Sequence, residues 1–332
     1  MLSTKISEMK EIFPKIDATP TVAVSRGGRI FASFIGDDGD CAVILSSRNE
    51  NGPFEVCAEI IGDGEDKVES CRLWNDPLGR MWVIWSFLPS AKVYCSICAE
   101  PDADVLEWSE EKNLDFGTLL ARPLVTSSGA WMFMSAVSAN EIVRIKGGEK
   151  KKGMYVYRSE DEGNTFEQVG KVFANTGGFD AATLIEKGGK FVAYIRTNYG
   201  VGKFISADGA ESFKAETDSG YCSNGARFAL GIMPSAHTLM INNGNFAPDG
   251  SRCLAAMLSL TDGMVYHGIM CLEDGGVNTS NPEFCTYGDT IYSIHVRAAE
   301  GKNELVLSRF TETDVLEGKP VSDASKLGMV IA

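Results

Sequence analysis

Short apolar runs separated by small polar turns recur along the whole chain. Ala130-Trp131-Met132-Phe133-Met134 follows Ser127-Ser128-Gly129, and Phe191-Val192-Ala193-Tyr194-Ile195 follows Lys187-Gly188-Gly189. Trp82-Val83-Ile84-Trp85 follows the turn Asp76-Pro77-Leu78-Gly79. Runs of this length, rich in β-branched and aromatic residues and bounded by turn formers, are strands. Helical periodicity is confined to residues 5–13, where Ile6, Met9, Ile12 and Phe13 share one side. That predicts a short helix in an N-terminal segment, 1–18. Residues 100–116 are polar, lack strand periodicity and read as a connection. No linker-like composition break appears, so 1–332 reads as one domain.

Ser159-Glu160-Asp161-Glu162-Gly163-Asn164-Thr165-Phe166 stands between two such runs, Met154 to Tyr157 and Val169 to Phe173. It reads Ser-x-Asp-x-Gly-x-Thr-Phe, the Asp-box, a structural turn that does no chemistry. Asp161 can fold its carboxylate onto nearby backbone N–H groups, Gly163 supplies a positive φ, and Phe166 plugs the hairpin base. Degenerate copies begin at Ser47, Ser206 and Ser259. Their spacing gives a repeat of about 50 residues, with two periods in the first interval, which is the length of a four-stranded propeller blade. The expected fold is all-β, a six-bladed β-propeller of four-stranded antiparallel blades.

Composition narrows the function. The 332 residues carry a net charge of −14, which makes nucleic acid and anionic membranes poor partners. No apolar run is long enough to span a bilayer, and the first residues hold no apolar signal core, so a cytoplasmic location is expected. The 9 cysteines are scattered through strand patterns and read as reduced, buried thiols. Cys95-x-x-Cys98 lacks the second pair that a zinc site needs. His237, His267 and His295 have no ligand spacing and read as packed or surface side chains. Neither a metal nor a cofactor is expected, and no sequence feature sets an oligomeric state.

In propellers, ligands bind at one end of the central channel, lined by the innermost strands. Arg122, Arg196 and Arg227 stand near comparable points of successive blades. A guanidinium fork suits bidentate binding of a carboxylate, so three in register suit a sugar acid. The alternative is that each caps a strand or pairs with one of the 45 acidic residues.

The chain resembles the sialidase-like superfamily of BNR-repeat six-bladed propellers. The resemblance runs through the boxes, Leu73-Trp74-Asn75-Asp76-Pro77-Leu78-Gly79-Arg80-Met81-Trp82, Arg122-Pro123, Arg196-Thr197-Asn198-Tyr199-Gly200, Arg227-Phe228, Ile291-Tyr292, and Arg309 to Asp314. It implies an arginine triad for the substrate carboxylate, a tyrosine nucleophile with a glutamate partner, and an aspartate acid/base. The chain departs from that pattern. Where the family pattern has Tyr-Pro-Asp it has Asn281-Pro282-Glu283, and Ser70-Cys71 stands for Asp-Pro. Asp180 is followed by Ala181-Ala182 in place of a Glu-His pair. Asparagine cannot replace a phenol as nucleophile, and alanine transfers no proton.

The remaining candidates are Asp180 and Glu283 for acid/base work, with Tyr199 as the nearest phenol. Three functions follow. The first is a divergent glycoside hydrolase acting on an acidic sugar. The second is a catalytically lapsed propeller that binds a glycan or protein. The third is a uronic-acid lyase using Tyr199 beside Arg196.

Overall fold

The computed structural model describes residues 2–3, 16–36, 39–62, 64–114, 117–137, 143–145, 148–150, 152–173, 181–197, 200–216, 226–247, 249–261, 265–273 and 276–332. They form a six-bladed propeller of four-stranded antiparallel sheets. Blade 1 comprises Ile16–Val24, Ile30–Gly36, Cys41–Ser47 and Glu55–Ile61, and blade 2 Lys67–Asn75, Met81–Leu88, Val93–Cys98 and Lys112–Asn113. In blade 3 the innermost strand is split into Thr118–Leu119 and Leu124–Val125, followed by Trp131–Val137, Gly153–Ser159 and Glu167–Val172. Blade 4 holds Ala182–Lys187, Lys190–Thr197, Gly200–Ser206 and Lys214–Ala215. Blade 5 holds Phe228–Ile232, Thr238–Gly244, Cys253–Ser259 and Gly268–Cys271. Blade 6 holds Asn278–Tyr287, Thr290–Ala299, Lys302–Thr311 and Lys326–Val330. The first strands touch one another in a closed ring, from blade 1 round to blade 6 and back.

The buried apolar side chains fall into six clusters, one at each seam between neighbouring blades. This explains why the second strands are buried on both faces along most of their length. Side chains alternate faces along a strand, and each face of a blade packs on a neighbour. Met81, Val83 and Trp85 therefore enter the seam with blade 1, while Trp82 and Ile84 enter the seam with blade 3.

The Ser159 turn joins the third and fourth strands of blade 3. Asp161 Oδ1 accepts from Thr165 N–H at 2.8 Å and Ser159 Oγ–H at 2.8 Å, and Oδ2 accepts from Thr165 Oγ–H at 2.6 Å. Gly163 N–H donates to Ser159 Oγ at 2.9 Å. Phe166 meets Phe133 edge-on at 4.7 Å. The Ser206 turn repeats this network through Asp208, with Ala210 in the glycine's place at φ 74. At the corresponding place in blade 6 a helix, Glu312–Glu317, is closed by a reciprocal capping box between Thr311 and Asp314.

Two readings change. Residues 100–116 are not only a connection, because Lys112–Asn113 is the fourth strand of blade 2. The N-terminal segment is shorter than 1–18, since the first strand already begins at Ile16, and Leu2–Ser3 pairs with the outer strand of blade 1. Residues 5–13 lie outside the described residues. Blades 1 and 6 are locked by contacts between whole strands. Arg309 pairs with Glu50, Tyr292 Oη–H donates to Glu50 at 2.9 Å, and Asn303 donates to the Ile16 carbonyl at 2.6 Å. The 8 described cysteines are free thiols, and burial pushes Cys71, Cys95 and Cys285 up to about 12. Among the described residues, no helix is long and apolar enough to cross a membrane, and no group of His, Cys, Asp and Glu is arranged to hold a metal ion.

Candidate functional site

At the ring of first strands the chain leaves an open cleft of about 450 Å³, bounded by residues from blades 1 to 6. Its charged lining residues are Arg72, Arg227 and Glu283. Arg72 lies within the first strand of blade 2, in an otherwise apolar stretch, and is nearly buried. One of its terminal nitrogens donates to Glu283 Oε2 at 3.1 Å and the other to the Leu120 carbonyl at 3.2 Å. Arg122, from the split inner strand of blade 3, reaches the other oxygen of Glu283 at 3.5 Å. Its guanidinium lies 5.8 Å from the Phe284 ring centre. Glu283 thus ties blade 6 to blades 2 and 3 through one carboxylate.

The electrostatics of Arg72 report the crowding. Burial pushes its pKa below the ordinary guanidinium value, and Glu283 opposes this. Arg227 and Arg122 then push it down further by like-charge repulsion. Arg72, Arg122 and Arg227, from three blades, therefore share one field at the cleft. Around them the wall is small and apolar, with Ala181, Ala182, Phe228 and Leu230 on one side.

The other wall is irregular. The first strand of blade 1 is bulged between Ala18 and Thr21, and that of blade 6 between Ser280 and Glu283. Each bulge holds a residue with left-handed backbone, Thr19 at φ 48 and Asn281 at φ 53. Each is followed by a proline, and all four residues line the cleft. Such backbone is uncommon, most of all for a β-branched residue, and persists where the surroundings enforce it.

Of the sequence candidates, Arg122, Arg227 and Glu283 are brought together. Arg196 stands one strand further out, on the second strand of blade 4, where its N–H donates to the Ala181 carbonyl at 2.9 Å. It is not among the residues that line the cleft. Asp180 and Tyr199 lie outside the described residues. Arg72 was not among the sequence candidates, although a lone cation inside Ser70-Cys71-Arg72-Leu73-Trp74 was its signal. A charge buried in a strand needs a partner.

Comparison with known proteins bears on the fold. No family model and no curated protein matches the chain by sequence. Solved structures do match. A Hadza microbial sialidase superposes with a TM-score of 0.67 at 14% identity, over 89% of this chain and 66% of its own. The fold is that of the sialidases. The Trypanosoma rangeli sialidase in complex with sialic acid gives 0.63 at 13%, over 87% of this chain and 53% of its own. The intramolecular trans-sialidase from Ruminococcus gnavus, in complex with oseltamivir carboxylate, gives 0.63 at 10%, over 90% and 95%. This sialidase-fold chain thus spans less than two thirds of the first two proteins.

Proposed function

We propose that this sialidase-fold propeller binds the carboxylate of an acidic sugar in a glycan, and holds that sugar without cleaving it by the sialidase route. The convergence of Arg72 and Arg227 on one cleft, with Arg122 beside them on Glu283, carries the reading. Like charges drawn together at low dielectric repel, and an anion relieves that repulsion. A ligand carboxylate does so through charge-assisted, bidentate bonds. The solved neighbours include proteins whose bound ligands are sialic acid and oseltamivir carboxylate, both carboxylates.

The side chains around the cleft argue against sialidase chemistry. Asn281 offers an amide where a phenol is needed. Ala181 and Ala182 offer no proton. Both oxygens of Glu283 are already engaged by arginines.

A hydrolase remains the competing reading, since the fold hosts that chemistry, and it needs Asp180 with Glu283. A panel of glycosides ending in sialic acid, uronic acid or a neutral sugar separates the two. Binding of acid-terminated glycans without release of the sugar supports the proposal. Turnover of a sialoside at about 1–1000 per second would contradict the claim that the sugar is held uncleaved. Binding of neutral glycans alone would contradict the role given to the arginines.

A further inference from the structure

Two bulges shape the cleft wall at the seam of blades 1 and 6. Glu283 belongs to a regular ladder position again, opposite Ile294. The bulge just before it turns Asn281 out of the ladder and into the cleft wall. The Asn281 side chain is half-buried, and its amide makes no hydrogen bond among the described residues. Pro282 follows it, and proline narrows the conformations open to the residue before it. Asn281 is therefore presented in the cleft wall by backbone that most residues avoid.

We infer that Asn281 reads a vicinal diol, and that the sugar held in this cleft is a hexuronic acid. The inference rests on the proposed carboxylate-binding role and adds the ligand class to it. A side-chain amide has one donor side and one acceptor side. Two adjacent hydroxyls offer the matching acceptor and donor. Asn281 stands two positions before Glu283, whose carboxylate marks the point where Arg72 and Arg122 meet. Asn281 lines the same cleft as Arg72 and Arg227, so a ring held there meets both guanidinium and amide. A hexuronic acid carries its carboxylate at one end of the ring and free adjacent hydroxyls beyond it. In an acetamido sugar acid, the amide substituent interrupts that ring diol. Thr19, across the seam with the same backbone conformation, closes the wall behind the ring.

Titration calorimetry with three probes tests this: D-glucuronate, cyclohexanecarboxylate and the methyl glycoside of N-acetylneuraminate. The wild-type chain is expected to bind glucuronate about tenfold more tightly than cyclohexanecarboxylate, and more tightly than the acetamido acid. Asn281→Gly removes the amide and keeps a residue at ease with left-handed backbone, so the variant should fold. It should lower glucuronate affinity about tenfold and leave cyclohexanecarboxylate unchanged. If both simple acids bind and N281G leaves their ratio intact, the diol assignment is wrong while carboxylate binding stands. Preference for the acetamido acid would have the same meaning. If no acid binds, both the carboxylate reading and this inference fall.

Discussion

Glu283 is the residue on which the cleft turns. It is the carboxylate of the described lining, and it faces a nearly buried arginine on one oxygen and Arg122 on the other. In the empty protein it stands where a ligand anion would compete. Glu283→Gln should therefore lower unfolding stability by about 3 kcal/mol, because it leaves the Arg72 charge without its ion pair. The same variant should regain more stability than wild type when an acidic sugar is added. Thermal unfolding with and without the sugar reads both effects, and unchanged stability in the apo variant would show that the pair contributes nothing.

Arg122 was legible because Pro123 marks the entry to an inner strand, and Glu283 because it stands at the acidic position of the Tyr-Pro-Asp that the resemblance supplies. Arg72 was not, because its importance comes from partners 48 and 211 positions away in sequence. Asn281 was legible only as a missing tyrosine. Its new role depends on a bulge, and nothing local in Ser280-Asn281-Pro282 states which way the chain will buckle.

At the scale of the turn, sequence and structure agree closely, because the Ser159 motif is held together by its own atoms. Its two central residues share left-handed backbone, Glu162 at φ 57 and Gly163 at φ 84. Their substitutions should act in opposite directions. A Cβ on Gly163 would stand 2.8 Å from both the Trp82 and Trp131 rings. Gly163→Ala should thus cost about 2–4 kcal/mol, combining backbone strain with overpacking. Glu162 is exposed, and Glu162→Gly should stabilise by about 0.5 kcal/mol, the relieved strain being partly offset by a freer unfolded chain. Denaturant melts of both variants test the pair, and the same sign for both would contradict the turn geometry.

The capped helix of blade 6 makes a pH prediction. Burial raises the Asp314 pKa, but bonds from Ser325 and from the Val321, Ser322 and Thr311 N–H groups outweigh it and hold it at about 2. A depressed carboxylate pKa contributes stability above the unfolded value near 3.9, which is lost as pH falls through the folded value. Between about pH 4 and pH 2 the chain should lose roughly 2 kcal/mol through this group. Asp314→Asn should flatten that part of the profile, and an unchanged acid slope would contradict the assignment.

The whole molecule was legible as a repeat. Alternation within each strand feeds two seams, and the spacing of about 50 residues closes the ring at six blades. The strand at Lys112–Asn113 was missed because a two-residue outer strand is too short to carry a periodicity. Closure also produces the central contrast of this protein. A chain with net charge −14 brings Arg72 and Arg227 to one axial cleft, with Arg122 beside them on Glu283. The overall field repels an anion, so the proposed binding draws on the cleft itself. Calorimetric titration of methyl β-glucuronide against methyl β-glucoside, with the wild-type chain and Arg122→Gln, tests that contrast most directly. The account predicts that the acid binds, the neutral sugar does not, and R122Q loses at least about tenfold in affinity with its melting temperature little changed. Equal binding of both sugars, or an R122Q variant that binds the acid as wild type does, would contradict it.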